Sequence, residues 1–409
     1  MRYQAMNRAE LMAEKEKMTA AYEAFKARGL KLDLSRGKPG ASQLDVMTGM
    51  LDCLKDTADC KTAGGFDCRN YGLLEGTPEA KKLFSDLLGI PEKNLFIGGN
   101  SSLKLMYDAV ARCMLYGNCD GEPWIKQGKI KFICPAPGYD RHFAITESFG
   151  FELITVPMTP DGPDMDVVEE LVQDSTVKGI WCVPKYSNPQ GITYSHETVA
   201  RFAALQPAAP DFAIIWDNAY CIHEFDGEFE PFRDIISLCA AAGRPNMVFE
   251  FASTSKITFP GAGISVMAAS EENIAYHAKL ISAQTISYDK VNQLRHVLYL
   301  KDKAHTLELM KEHAKIMGPK FALVLKMLNE ELTNKGIAQW HCPKGGYFVC
   351  VAAMPGTAKR TLQLCAQLGV KFTEAGATYP YGMDPQDSMI RIAPSLPPIQ
   401  DLEKAMDVF

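Results

Sequence analysis

Residues 249–263 read FEFASTSKITFPGAG. An apolar run, Met247 to Ala252, meets Ser253, Thr254 and Ser255, then Lys256, then a glycine-rich turn. The run has the length and composition of a strand buried on both faces. A lysine where such a strand stops is costly unless it is paired or loses its charge. Lysines are also the side chains that form Schiff bases with carbonyl compounds. Outward from this stretch, short apolar runs recur at Asn94–Ile97, Ile130–Cys134, Phe151–Val156, Gly179–Val183 and Phe212–Trp216. Segments with helical periodicity lie between most of them, such as Ser101–Tyr116 and Glu197–Leu205. The alternation predicts an α/β fold, a mostly parallel sheet between helices, with functional residues at the carboxyl ends of its strands.

After about residue 290 the texture changes. A helical stretch from Asp289 to Leu332 shows no strand break, and "GGYFVCVAA" and "SMIRIAPSLPP" read as two strands of a smaller α/β unit. The expected division is a large domain over 45–290 and a small domain from 1–44 with 291–409, the N-terminal helix packing with the latter. The whole chain has 409 residues, enough for two cores. Its net charge is −6 and no basic stripe is visible, which speaks against a nucleic-acid partner. No apolar run approaches the ~20 residues that span a bilayer. The first 29 residues carry charges throughout and read as an exposed amphipathic helix, not a signal peptide. Twelve cysteines without a CxxC pair fit thiols in a reducing cytoplasm better than disulfides or a metal site.

The strand ends carry unusual residues. "GGNSS" (98–102) opens a helix, where free N–H groups suit a phosphate; a plain serine N-cap is the alternative. "SNPQG" (187–191) reads as a turn. Asp217 closes an apolar run, so it is either an N-cap or a part-buried carboxylate that needs a partner. Lys256 alone reads as a surface lysine. Together, a phosphate nest, a carboxylate and a lysine at the strand ends of one sheet match the needs of pyridoxal 5'-phosphate. Its aldehyde takes a lysine, its pyridine nitrogen a carboxylate, and its phosphate a set of backbone and hydroxyl donors.

These residues resemble the fold-type I, pyridoxal-phosphate-dependent class I/II aminotransferases along nearly the whole chain. The similarity lies in "YGLLEGTPEAKKLF" (71–84), "SNPQG", "DNAY" (217–220), "STSK" (253–256) and "IRIAPS" (390–395). "LSRGKPG", "GGNSSL", "PAPGYDRHF" and "DKVNQLRH" are similar to a bacterial subgroup of atypical aspartate aminotransferases. The resemblance implies Lys256 as the Schiff-base lysine and proton shuttle, Asp217 as partner of the pyridinium nitrogen, and Asn188 and Tyr220 as donors to the phenolic oxygen. It implies Gly99, Asn100, Ser101 and Ser253 as phosphate ligands, and Tyr71 as a phosphate ligand of the neighbouring subunit, hence a homodimer with shared sites. Arg391 would fork onto the substrate α-carboxylate, with Gly37 and Asn188 beside it. The implied partners are an amino acid and a 2-oxo acid.

The chain departs from the family in two places. Where many members carry an arginine on the phosphate, "ITFPGAGIS" has no cation; where many place an aromatic on the ring, Ala136 stands, and Tyr139 either fills that gap or is an ordinary loop tyrosine. For a second substrate carboxylate, Arg36 and Lys290 are the candidates, each with a structural alternative as loop cap or solvated face. Aspartate with 2-oxoglutarate is the expected pair. The rivals are another amino acid, a lyase of the same fold, a cofactor-binding regulator and a non-catalytic scaffold. The first motif, by residue 33, and the acidic charge argue against the regulator, and retention of Lys256, Asp217 and Arg391 against the scaffold.

Overall fold

The computed structural model describes residues 3–409. Eight strands form one sheet in the order Leu95–Ile97, Ser265–Ala269, Val248–Ser253, Ala213–Asp217, Val177–Cys182, Lys131–Ala136, Glu152–Thr159 and Gly162–Pro163. Ser265–Ala269 runs antiparallel to both neighbours, and Gly162–Pro163 is antiparallel to Glu152–Thr159. The central strands pair in parallel. All six expected strands form, with ends shifted by up to three residues. Ser265–Ala269 was not anticipated: five small or flexible residues between a glycine-rich turn and a helix carry little periodicity.

Side-chain alternation divides the core. Ile214 and Trp216 pack on one face with Val168, Ile180 and Phe202. Ala213 and Ile215 pack on the other with Phe132, Trp181 and Phe249. Both faces are covered, so the strands read as continuous apolar runs. Asp217 shares the parity of Ala213 and Ile215, and so points to the second face, where Ser102–Tyr116 and Asp140–Ser148 lie.

Local signals fix the helices near the site. Ser101 caps Ser102–Tyr116 by accepting from Lys104 N at 3.3 Å. Thr77 caps Pro78–Leu88, whose first residue is proline and whose end is Gly89 at φ +74°, a turn that favours glycine. The helical stretch expected from Asp289 to Leu332 is in fact two helices, Lys290–Leu300 and Lys303–Leu332. Lys301 takes φ +59°, and Asp302 caps the second helix by accepting from His305 N. An N-cap aspartate inside an apolar periodic run explains why the pattern alone ran through it.

A third cluster, including Phe321, Phe348 and Leu402, holds the C-terminal unit together. There Val349–Ala353 lies between Ala338–Trp340 and Met389–Ile392 in an antiparallel sheet, and Leu32–Asp33 pairs in parallel with Val370–Lys371. The N-terminal helix Arg8–Lys26 buries none of its residues and touches this unit through Tyr22, whose hydroxyl donates to Gln367 at 2.5 Å.

Candidate active site

A cleft of about 470 Å³ opens between the carboxyl ends of the large sheet and the C-terminal unit. Lys256, Asp217, Tyr220, Asn188, Tyr139 and Arg391 all line it, as do Arg36 and Gly37. Residues as distant in sequence as Arg36 and Arg391 thus converge on one space.

Lys256 lies in a single turn of 3-10 helix, Thr254–Lys256, directly after its strand. Its Nζ sits 4.8 Å from the centre of the Tyr220 ring and 5.8 Å from that of Tyr347. Burial lowers the ammonium pKa, and the nearby Asp217 carboxylate works against that shift. Asp217 is buried, and His142 Nε2 contacts its Oδ2 at 2.9 Å. Its Oδ1 is buried with no partner among the described residues. His142 stacks flat on Trp181, with centroids 4.4 Å apart and planes at 11°. Tyr139 meets the edge of His142 at 4.8 Å, and burial with the Asp217 charge pushes its hydroxyl up to about 12. Tyr220 is buried, and burial raises its pKa well above the usual phenol value.

Arg391 comes from the C-terminal sheet and is 7 % exposed. Its Nη1 donates to Asn188 Oδ1 at 3.0 Å and to Asp140 Oδ1 at 3.1 Å, and its Nε to Thr373 Oγ1 at 3.2 Å. A guanidinium only donates, so the Asn188 oxygen must face it and the amide N–H₂ points elsewhere. The guanidinium carbon lies 4.8 Å from the Phe348 ring centre. Gly37 passes so near that ring that a Cβ would stand 2.3 Å from it, hence glycine.

A second group adjoins the start of helix Ser102–Tyr116. Ser253 Oγ donates to Ser255 Oγ at 3.0 Å, and Ser255 reaches the Asn100 carbonyl at 3.5 Å. Gly99 accepts from Ser265, and Asn100 is exposed. Gly99, Asn100, Ser101 and Ser253 do not themselves line the cleft, which is reached at this end by Ser102, and two further expected residues also lie outside the lining of their own chain. Tyr71 is 74 % exposed. Lys290 is 3 % exposed at the start of its helix, where burial lowers its pKa, so it is not the solvated lysine that the sequence suggested as its alternative.

The aspartate amino-transferase family profile matches residues 6–409. The chain belongs to the aspartate aminotransferase family. It is 46 % identical over 393 residues to the aspartate aminotransferase of Corynebacterium glutamicum, covering 96 % of this chain and 91 % of that one. The crystal structure of an aspartate transaminase from C. glutamicum superposes with a TM-score of 0.97 at 44 % identity, over 100 % and 96 % of the two chains. Thermus thermophilus LysN, an α-aminoadipate aminotransferase complexed with N-(5'-phosphopyridoxyl)-L-leucine, shares the fold at a TM-score of 0.75 and 18 % identity, over 95 % and 92 %. The protein is therefore an aminotransferase with the fold-type I architecture expected of its strand order.

In this aminotransferase several cleft residues escaped the sequence reading. His142, buried behind the cleft against Asp217, stands in "PAPGYDRHF", where the sequence assigns it no role; a histidine on the inner side of a helix needs a partner, the one signal that marks it. Asp140, Lys38, Arg141 and Lys371 line the cleft itself. They stand on a loop, a helix start and the end of a two-residue strand, where charge is ordinary and nothing in one sequence singles it out.

Proposed function

We propose that this aminotransferase uses pyridoxal 5'-phosphate to move the amino group of L-aspartate to 2-oxoglutarate in two half-reactions. The observation that carries the reading is Asp217 Oδ1, a buried carboxylate oxygen without a donor, in the same cleft as a lysine of lowered pKa. A protonated ring nitrogen is the donor that such an oxygen lacks, so the residues fit the group. When bound, pyridoxal phosphate supplies an aldehyde for a lysine and a protonated ring that withdraws electrons from the substrate Cα.

The chain's own residues do the rest. Lys256 Nζ, whose charged form burial disfavours, takes the proton from Cα and holds it for return. Asp217, oriented by His142, keeps the ring N–H charged. Tyr220 and the amide of Asn188 would donate to the phenolic oxygen of the bound group, and Tyr139 would pack beside its ring. Gly99, Asn100, Ser101 and Ser253 hold the phosphate at a helix start. Arg391 holds the α-carboxylate beside Gly37. Arg36, which lines the cleft and has no side-chain acceptor among the described residues, takes the distal carboxylate.

Six cations line the cleft against three carboxylates, which supports a dianionic substrate; so does the 46 % identity to the C. glutamicum enzyme. We further infer a homodimer in which the exposed Tyr71 reaches the neighbouring phosphate, a boundary between domains near residues 45 and 290, and a reducing, cytoplasmic setting that suits twelve unpaired cysteines. Among the described residues no helix is long and apolar enough to cross a membrane.

The test is the absorption spectrum of the holoenzyme. L-aspartate alone is expected to abolish the visible cofactor band, and 2-oxoglutarate to restore it. A band that persists with aspartate but disappears with another amino acid sinks the substrate assignment; no band after loading with the cofactor sinks the role of Lys256.

A further inference from the structure

The five N–H groups of Arg391 are unevenly engaged. Nε serves Thr373, and Nη1 serves both Asn188 and Asp140. Nη2 has no acceptor among the described residues. A carboxylate forks onto a guanidinium either across Nη1 and Nη2 or across Nε and Nη2. Each approach adjoins a nitrogen that already serves protein oxygens. Of those three oxygens only the one on Asp140 belongs to an anion, so it is chemically the closest match to an incoming carboxylate.

Burial explains why a carboxylate stands there. The Arg391 side chain is 7 % exposed, and a buried guanidinium without an anion is strongly unfavourable. The Asp140 side chain is 33 % exposed, and so can swing toward water when another anion takes its place. Asp140 is also the first residue of helix Asp140–Ser148, where the free N–H groups stabilise a carboxylate released from Arg391.

We propose that the Asp140 carboxylate competes with the substrate α-carboxylate for Arg391 Nη1 and so sets how tightly every carboxylate substrate binds. This rests on the reading of Arg391 as the α-carboxylate ligand. Asp140 acts through Arg391, so it is a positioning residue and not a catalytic one. It keeps the guanidinium neutralised and oriented, and the substrate exchanges one carboxylate for another.

The test compares wild-type, Asp140→Asn and Asp140→Glu holoenzymes. Asp140 is partly exposed at a helix start, so its isosteric amide is expected to fold. Asp140→Asn should lower the KM for L-aspartate and the Kd for maleate, an unreactive dicarboxylate, by roughly three- to tenfold. Asp140→Glu keeps the competing charge and should return both constants toward wild type. A structural role alone lowers kcat/KM; competition raises it. Should Asp140→Asn raise KM and weaken maleate, or leave both unchanged, Asp140 merely supports Arg391 and the proposal is overturned. If the wild-type enzyme ignores aspartate but converts another α-amino acid, the substrate assignment falls separately. The same comparison then decides on that amino acid's KM, because the α-carboxylate is common to all.

Discussion

In the proposed reaction the chemistry turns on Asp217, whose two oxygens are treated differently. His142 holds one, and nothing in the chain serves the other. An amide of the same shape keeps the contact but cannot stabilise a ring cation. Asp217→Asn is therefore expected to lower kcat by about 10²–10³-fold, the scale of losing one preorganised charge. Loss of the cofactor from the variant, seen as an altered cofactor-to-protein ratio, must be excluded in the same preparation; a kcat within about threefold of wild type at full loading would remove Asp217 from this role. At this scale the sequence was legible where side-chain chemistry is rare. Neither Lys256 nor Asp217 is decisive alone; a lysine and an aspartate at the strand ends of one sheet, together with a phosphate nest, single each other out. Arg36 and Arg391 were found through the resemblance. Asp140 and Arg141 were not, because a charged pair at a helix start is the commonest of patterns and only the folded cleft reveals what it faces.

The strand Val248–Ser253 carries Lys256 at its end and an unusual acid in its middle. Glu250 is 4 % exposed, and its Oε1 accepts from Asn218 Nδ2 at 2.9 Å. Burial, with help from the charge of Asp234, raises its pKa from 4.5 to about 8. The folded protein thus holds a proton that the unfolded chain releases. This stabilisation is complete below about pH 4.5 and is lost as pH rises toward 8. Glu250→Gln cannot ionise, so its stability should exceed that of the wild type by about 1–3 kcal/mol at alkaline pH and converge with it under mild acid. Thermal unfolding of both proteins across that range checks the sign; a constant difference would mean that Glu250 does not titrate in the window. Elements were the most legible level. Continuous apolar runs gave six strands because both faces of the sheet are covered. Ser265–Ala269 escaped because its direction is antiparallel and its residues are small, and the break at Lys301 escaped because a single left-handed residue leaves no trace in periodicity.

For the whole molecule, charge is distributed against its own average. The chain carries a net −6, yet its cleft gathers Arg36, Lys38, Arg141, Lys256, Lys371 and Arg391 against Asp140, Asp217 and Glu374. Fields focused in a cleft weaken with salt, over a screening length of about 10 Å at 0.1 M. Raising ionic strength should increase the KM for L-aspartate several-fold, and that for a monocarboxylate such as L-alanine much less. Equal responses would leave the cationic rim without a part in selecting a second carboxylate. Arg36, Lys256 and Arg391 were legible in the sequence, but Lys38, Arg141 and Lys371 were not, because they come from separate segments that only the folded cleft brings beside the others. The stack of Trp181 on His142 has a different consequence. Of the four tryptophans, it alone lies flat against the imidazole that holds Asp217. Whatever engages that carboxylate alters the polarity next to one indole, so the intrinsic emission of the protein should respond when the cleft fills, giving an optical gauge without any attached dye.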